Sequence, residues 1–345
     1  MKFQLAINLE RNNPEVEMKK VMEHTLDMVK VADQGGFNIV WAAEHHGLEM
    51  NIAPNPFQIL VWWAHHTERI RLGTAVAVAA YWNPIKLAGE AAFTDQLTDG
   101  RLEFGIGSGA YQREFDRMKP GLKQQDAHRY MQEMIPAVKS LWAGDYEHHG
   151  EFWSFPTTTS VPKPLQHPHP PVWIAARSPV TFDYAVSQGC NIISWPLARP
   201  FSEAELYKEQ LDASLERNPN CKRPIFSLMR HTALYENSAG RDVAIEAVQR
   251  SMGQFENLFH NLGDVKLGFP KQIPVEDLLE RHQYDTDMLE ENLMFGSPKD
   301  VIEKLKLYEK LGVDEFVYLA SMGLPHQNQK RSLELFCNHV IPEFQ

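Results

Sequence analysis

Glu44-His45-His46 sets one carboxylate and two imidazoles side by side. Histidine titrates near neutral pH, so one held at a reaction centre can exchange a proton during turnover. Two adjacent residues of a regular strand point to opposite sides, so both rings cannot face one ligand from a strand. The plain alternative is a polar strand end. A second group, Arg177-Ser178-Pro179-Val180-Thr181, joins an arginine to two hydroxyls at a helix start. A guanidinium fork pairs with phosphate, and the N–H groups of a first helical turn favour an anion. Ser178 or Thr181 could equally be a simple helix cap. A third, Gly105-Ile106-Gly107-Ser108-Gly109-Ala110, nominally fits the dinucleotide fingerprint G-x-G-x-x-[GA]. Its context does not fit, because Gln124–Met131, about twenty residues on, reads as helix and not as a strand ending in an acid. The milder reading is a backbone brought close to a ligand where side chains are missing.

The other histidine pairs, His65-His66, His148-His149 and His167-Pro168-His169, lack an i, i+4 partner or an acid in a familiar ligand frame. Metal catalysis is not expected from them. The chain has no Gly-x-Ser-x-Gly elbow and no P-loop lysine motif, so hydrolase and nucleotide-triphosphatase readings lack support.

The elements that must position these groups alternate along nearly the whole chain. Strands are expected at Phe3–Leu9, Phe37–Ala43, Arg71–Ala79, Arg101–Ile106, Val172–Ala176, Asn191–Ser194, Ile225–Tyr235 and Asp314–Leu319. Helices are expected at Val16–Gln34, Pro56–His66, Pro84–Leu97, Ala127–Trp142, Val180–Gln188, Glu203–Glu216, Asp242–Phe259, Ser297–Leu311 and Gln329–Val340. Tyr146–Phe155 reads as a hairpin, and Asn261–Asn292 is polar and without a clear period. Eight strands, each followed by a helix, predict an α/β fold of the (β/α)8 TIM-barrel type. The expected organisation is one domain over 1–345, with insertions near 144–171 and 261–292. Chemistry in such a barrel sits at the C-terminal ends of the strands. That rule selects Glu44 to His46, Ala75 to Ala80, Gly105 to Tyr111, Arg177 to Thr181, and Trp195.

With 345 residues, 43% of them hydrophobic, the chain can fill a core of this size. Lys+Arg 34 against Asp+Glu 45 gives a net charge of −11, which disfavours a nucleic-acid surface. No apolar run reaches the roughly 18 residues of a membrane span, and the first residues read as a strand, not a signal peptide. Cys190, Cys221 and Cys337 are odd in number and lack metal spacing, which points to a reducing, cytoplasmic setting.

An ordered series of short segments then resembles the bacterial luciferase-like, flavin-dependent monooxygenase family. It runs through Met1-Lys2-Phe3, Gly36-Phe37, Val40-Trp41, Glu44-His45-His46, Arg71-Leu72-Gly73-Thr74-Ala75 and Asn83-Pro84. It continues through Asp95 to Gly107, Gly109-Ala110-Tyr111, Pro171 to Ala176, Ile193-Ser194-Trp195 and Phe295-Gly296-Ser297-Pro298. The resemblance implies a (β/α)8 barrel that takes FMN reduced by a separate flavin reductase. It implies a monooxygenase that uses O2, through a flavin peroxide, on a small organic substrate such as an aldehyde, ketone or sulfur compound. His45 matches the family's catalytic histidine, and Glu44 beside it is counted with the flavin-binding positions that the resemblance implies. Ala75-Val76 matches a non-proline cis peptide that props the flavin ring. Ser108, Ala110, Tyr111, Arg129, Arg177, Ser178 and Thr181 match positions around the flavin, mostly near its phosphate, and Trp195 an aromatic residue of the cavity. Gly107 stands where luciferase has a reactive cysteine, Ser108 where it has an arginine, and Arg177 where it has an acid. A homodimer is implied by the same likeness. The alternatives are an F420-dependent hydride-transfer enzyme of the same barrel family and a flavin-binding protein without turnover.

Overall fold

A computed structural model of the chain describes residues 1–278 and 281–345. Its frame is eight strands: β1 (Lys2–Ala6), β2 (Ile39–Ala42), β3 (Arg71–Thr74), β4 (Leu102–Gly107), β5 (Val172–Ala175), β6 (Asn191–Ser194), β7 (Phe226–Leu234) and β8 (Glu315–Leu319). Each pairs in parallel with the next. The barrel closes where β8 returns to β1, with Lys2 opposite Glu315 and Ala6 opposite Leu319. Parallel strands covered on both faces carry apolar residues without alternation, and Ile39–Ala42 and Glu315–Leu319 are buried throughout.

Around the barrel lie α1 (Met18–Gly35), α2 (Pro56–Ala64), α3 (Pro84–Leu97), α4 (Gln112–Met118), α5 (His128–Ala143), α6 (Pro179–Ser187), α7 (Phe201–Arg217), α8 (Ser238–His260), α9 (Thr286–Asn292), α10 (Pro298–Leu311) and α11 (His326–Leu335). Their ends follow local chemistry. Gly36 takes φ 95° and returns its N–H to Ala32 O, closing α1 as the Gly35-Gly36 pair predicts. Ser297 and Asp300 form a capping box at the start of α10.

Four expectations need correction. The strand expected over Arg71–Ala79 breaks after Thr74, and Ala77–Val78 pairs separately with Ile106–Gly107. Between Ile106 and Ala127, where no element is expected, lies α4; seven mostly polar residues are too few to show a helical period. The stretch Asn261–Asn292 holds an antiparallel pair, Val265–Lys266 with Phe269–Pro270, and also α9; its Leu279 and Glu280 lie outside the described residues. The last helix begins at His326, three residues early, because Pro325 leads directly into it.

The barrel interior is filled, as the architecture requires. Trp41 Nε1 donates to Gln4 Oε1 at 2.7 Å, and Gln4 Nε2 donates to Glu315 Oε2 at 2.5 Å. Glu103 is paired with Arg71 and accepts from Trp173 Nε1 at 2.5 Å, while burial raises its pKa. Among and beyond these polar groups pack Ala6, Ile39, Trp41, Trp173, Ile193, Val317 and Leu319. Ala175, the last residue of β5, is exposed although the three before it are buried, so the barrel opens at its C-terminal rim.

Candidate active site

β2 ends at Ala42, so Glu44, His45 and His46 leave the strand at that rim and escape its alternation. The Glu44 carboxylate is buried: Oε2 accepts the Val78 N–H at 2.7 Å and Trp82 Nε1–H at 2.9 Å. Its other oxygen lies 2.8 Å from His46 Nε2. That hydrogen bond is the main cause of the raised pKa of His46. A second carboxylate, Glu114 of α4, is 4% exposed and holds both histidines. Its Oε1 accepts the His46 backbone N–H at 2.6 Å, and its Oε2 lies 3.1 Å from His45 Nδ1. A carboxylate at Nδ1 keeps the ring proton there and leaves the Nε2 lone pair free for proton exchange. The Tyr111 ring lies 5.5 Å from His45 and the Tyr81 ring 5.4 Å from His46. Burial, then the charge of Glu114, raises both phenol pKa values, so both stay neutral.

Sequence reasoning passed over Glu114, because its segment showed no period and nothing in it pointed back to residue 45. The one usable signal was its place just beyond the end of β4.

Beside this network the Ala75–Val76 peptide is cis. The glycines of β4 explain how it fits, and they correct the reading that they clear space for a ligand. A Cβ on Gly105 would lie 1.8 Å from Thr74 O, and one on Gly107 would lie 2.6 Å from Val76 Cγ2. Both glycines admit the end of β3 and the turn after it. Val76 thus fills the space that a side chain at 107 needs. Gly107→Cys is expected to lower stability by about 1–3 kcal/mol through overpacking, and Val76→Ala in the same chain to recover much of that loss. A double-mutant cycle by chemical denaturation checks this: strictly additive effects would show that the two positions do not share the space.

Ser108 and Ala110 follow β4, and Arg177, Ser178 and Thr181 follow β5; the two strands are neighbours, so both groups reach one sector of the rim. Ser178 holds the cap position of α6 but makes no side-chain cap bond; its Oγ lies 2.9 Å from Thr181 Oγ1. Arg177 Nε donates to the OH of buried Tyr207 at 3.2 Å, which leaves its outer N–H groups exposed. Arg129, by contrast, is paired with Glu151 and stacks its guanidinium 5.4 Å from the Phe152 ring centre. Trp195, past the end of β6, has ring neighbours His231 at 5.6 Å and Phe255 at 5.5 Å. Trp195 Nε1 and His231 Nδ1 are buried without a hydrogen-bond partner among the described residues. Burial pushes the His231 pKa down to about 4, so the ring is neutral near pH 7. His231 also went unnoticed, since a lone histidine inside an apolar strand carries no motif. On α8 Phe255 is buried and Phe259 exposed, and Tyr284 of the insertion at 261–292 is buried. Among the described residues no three His, Cys, Asp or Glu side chains are placed to hold a metal.

This donor set fits a flavin mononucleotide. The Ser178 and Thr181 hydroxyls, bonded among the described residues only to each other, and an outward arginine suit a phosphate, the Ala75–Val76 turn suits a flat ring, and the buried Trp195 and His231 nitrogens suit its polar edge or a bound substrate.

Comparison with known proteins agrees with this geometry. The profile of the family described as Luciferase-like monooxygenase matches residues 1–315. The oxygenase component of a flavin-dependent trigonelline monooxygenase from Acinetobacter baylyi is 38% identical over 344 residues, covering 100% of this chain and 96% of that protein. An FMNH2-dependent dimethylsulfone monooxygenase from Pseudomonas putida is 28% identical over 287 residues, covering 80% of this chain and 74% of that one. A monooxygenase from Streptomyces bottropensis has the same fold, with a TM-score of 0.84 at 22% identity and all of both chains covered. A barrel whose rim carries His45, Glu114 and the Ala75–Val76 turn, matched at this length, belongs to the luciferase-like monooxygenases.

Proposed function

We propose that the chain is the oxygenase of a two-component, FMN-dependent system, which receives reduced FMN from a separate flavin reductase and oxidises a small organic substrate with O2. The observation that carries this reading is the His45–Glu114 pair, fixed beside the Ala75–Val76 turn at the open end of the barrel. Reduced FMN, when bound, supplies the electrons that activate oxygen. The protein supplies the rest. Arg177, Ser178 and Thr181 hold the phosphate. Ala75 and Val76 support the ring, and His45 takes or returns a proton through Nε2. Tyr111, Trp195 and Phe255 wall the site with apolar surface that excludes water.

Arg177→Gln removes charge-assisted hydrogen bonds of about 1.5–3 kcal/mol, so FMN affinity is expected to fall roughly 10- to 100-fold. Riboflavin, which has no phosphate, should bind variant and parent alike. Fluorescence titration of both flavins separates this outcome from a general loss of fold.

Trigonelline is the first substrate to try, in view of the relative from Acinetobacter baylyi, and dimethylsulfone the second. The test mixes the anaerobic protein–reduced FMN complex with labelled O2 and each compound. One labelled oxygen atom in the product supports the reading. Reoxidation at the rate of free reduced FMN, with no product from any substrate, counts against it, and oxygen-independent hydride transfer from a reduced deazaflavin would replace it. A homodimer is favoured by an exposed apolar patch on α3 and the loop facing it, Phe93 54%, Leu97 40%, Val161 81% and Leu165 46% exposed. A cytoplasmic setting accords with three free cysteines. Among the described residues no helix is long and apolar enough to cross a membrane.

A further inference from the structure

One cavity of about 120 Å³ touches the His–Glu network from outside. It is lined by His46, Gly47 and Leu48 after β2, by Arg113, Glu114 and Arg117 of α4, and by Val265 and Gly268 of the antiparallel pair above. The roof is tied down, since Gly268 O accepts the Glu49 N–H at 2.8 Å. The cavity carries positive charge in a chain whose net charge is −11. Among the described residues eight arginines sit within 4.0 Å of a carboxylate. Arg113 and Arg117 have no such partner among the described residues.

Of the acids around the cavity, both Glu114 oxygens face His45 and His46, Asp116 Oδ1 accepts from Gln112 Nε2 at 2.8 Å, and Glu49 Oε1 pairs with Arg11 at 2.9 Å while its Oε2 is buried without a partner among the described residues. Arg117 is steadied by donating to Arg113 O at 2.7 Å, and Arg113 is half-buried. Two guanidinium groups thus line one pocket that also borders the reaction centre, and such groups recruit oxyanions. Near neutral pH, His46 adds partial positive charge on the same wall, offset by its own partner Glu44.

We propose that this cavity is the anion subsite of the substrate, with Arg113 and Arg117 gripping an oxyanion headgroup, carboxylate or sulfonate, while the rest of the molecule reaches over Glu114 towards His45. The assignment rests on the oxygenase reading above and narrows it to organic acids. The phosphate of the flavin is accounted for elsewhere, at Arg177, Ser178 and Thr181 on a different sector of the rim. The volume suits a headgroup and not a whole substrate, so the body of the molecule lies outside the cavity.

The test is equilibrium binding to the FMN-loaded full-length chain, read by calorimetry with benzoate, its uncharged counterpart benzamide, and inorganic sulfate and phosphate. Benzoate should bind at least tenfold more tightly than benzamide, and sulfate should compete with it. In a chain carrying Arg113→Gln and Arg117→Gln, benzoate affinity should fall by tenfold or more with FMN affinity and melting temperature unchanged, and Arg113→Lys with Arg117→Lys should recover part of it. Equal benzoate affinity in the Gln variant and the parent overturns the proposal, as does a parent that binds no benzoate. Binding of sulfate or phosphate without benzoate assigns the pocket to a free inorganic ion and overturns the substrate role. A loss of FMN affinity in the Gln variant assigns the arginines to the cofactor instead. No outcome depends on oxygenation, so failure here is separable from failure of the oxygenase reading.

Discussion

His45→Ala is expected to lower the rate of substrate oxygenation by about 10²- to 10⁴-fold, the usual range for a positioned general acid–base group. The loss should appear in kcat, with flavin affinity unchanged, since the phosphate contacts lie on the sector after β5. The geometry gives the reason. Glu114 Oε2 sits 3.1 Å from Nδ1, which sets the ring's orientation and tautomer, and only Nε2 is left for exchange. The neighbouring phenols cannot substitute, because burial and Glu114 keep Tyr81 and Tyr111 neutral. Nor can His46, whose Nε2 is occupied by Glu44 at 2.8 Å. Glu114→Gln should fall between parent and His45→Ala. The amide has one acceptor oxygen for the two N–H groups that the Glu114 carboxylate receives, so the ring is held less firmly and an imidazolium is no longer stabilised. Rapid-mixing kinetics with a saturating substrate and a flavin-binding titration measure both quantities. Full oxygenation rate in His45→Ala with intact flavin binding would falsify the role.

The barrel was legible because its signals are local and repeated. Each strand is a short apolar run, and each helix carries its own period or cap, as at Gly36 and Ser297. The rim residues were legible once the barrel was counted, since strand ends select themselves. What the sequence hid is pairing across distance. Glu114 is 69 residues from His45 and meets it only because β2 and the segment after β4 share the rim. Arg113 and Arg117 look like ordinary helical surface charges until the fold sets Val265 and Gly268 across the same cavity. The glycines of β4 misled in an instructive way. A missing side chain announces a close approach but not its partner, and here the partner is the end of the neighbouring strand.

Gly105 shows how much rests on that approach. Gly105→Ala is expected to destabilise the fold by about 3 kcal/mol or more, at or above the upper end of ordinary overpacking. The new Cβ would lie 1.8 Å from Thr74 O and 3.0 Å from Thr74 C, and these are backbone atoms without a rotamer to change. Neither strand can yield easily. Thr74 Oγ1 accepts the Gly105 N–H at 3.0 Å and donates to Gly105 O at 2.6 Å, while Gly105 pairs on its far side with Trp173. Relief therefore has to push Thr74 and the Ala75–Val76 turn outward, so flavin affinity should fall together with stability. Gly89 of α3 is the matched control. A Cβ there meets nothing nearer than Val161 O at 3.7 Å, and a glycine inside a helix costs about 1 kcal/mol relative to alanine. Gly89→Ala should accordingly be neutral or mildly stabilising, with unchanged flavin binding. Urea denaturation of the two variants beside the parent decides the matter. If Gly105→Ala unfolds at the parent's midpoint, the end of β3 is free to move and is not the fixed support that the site requires.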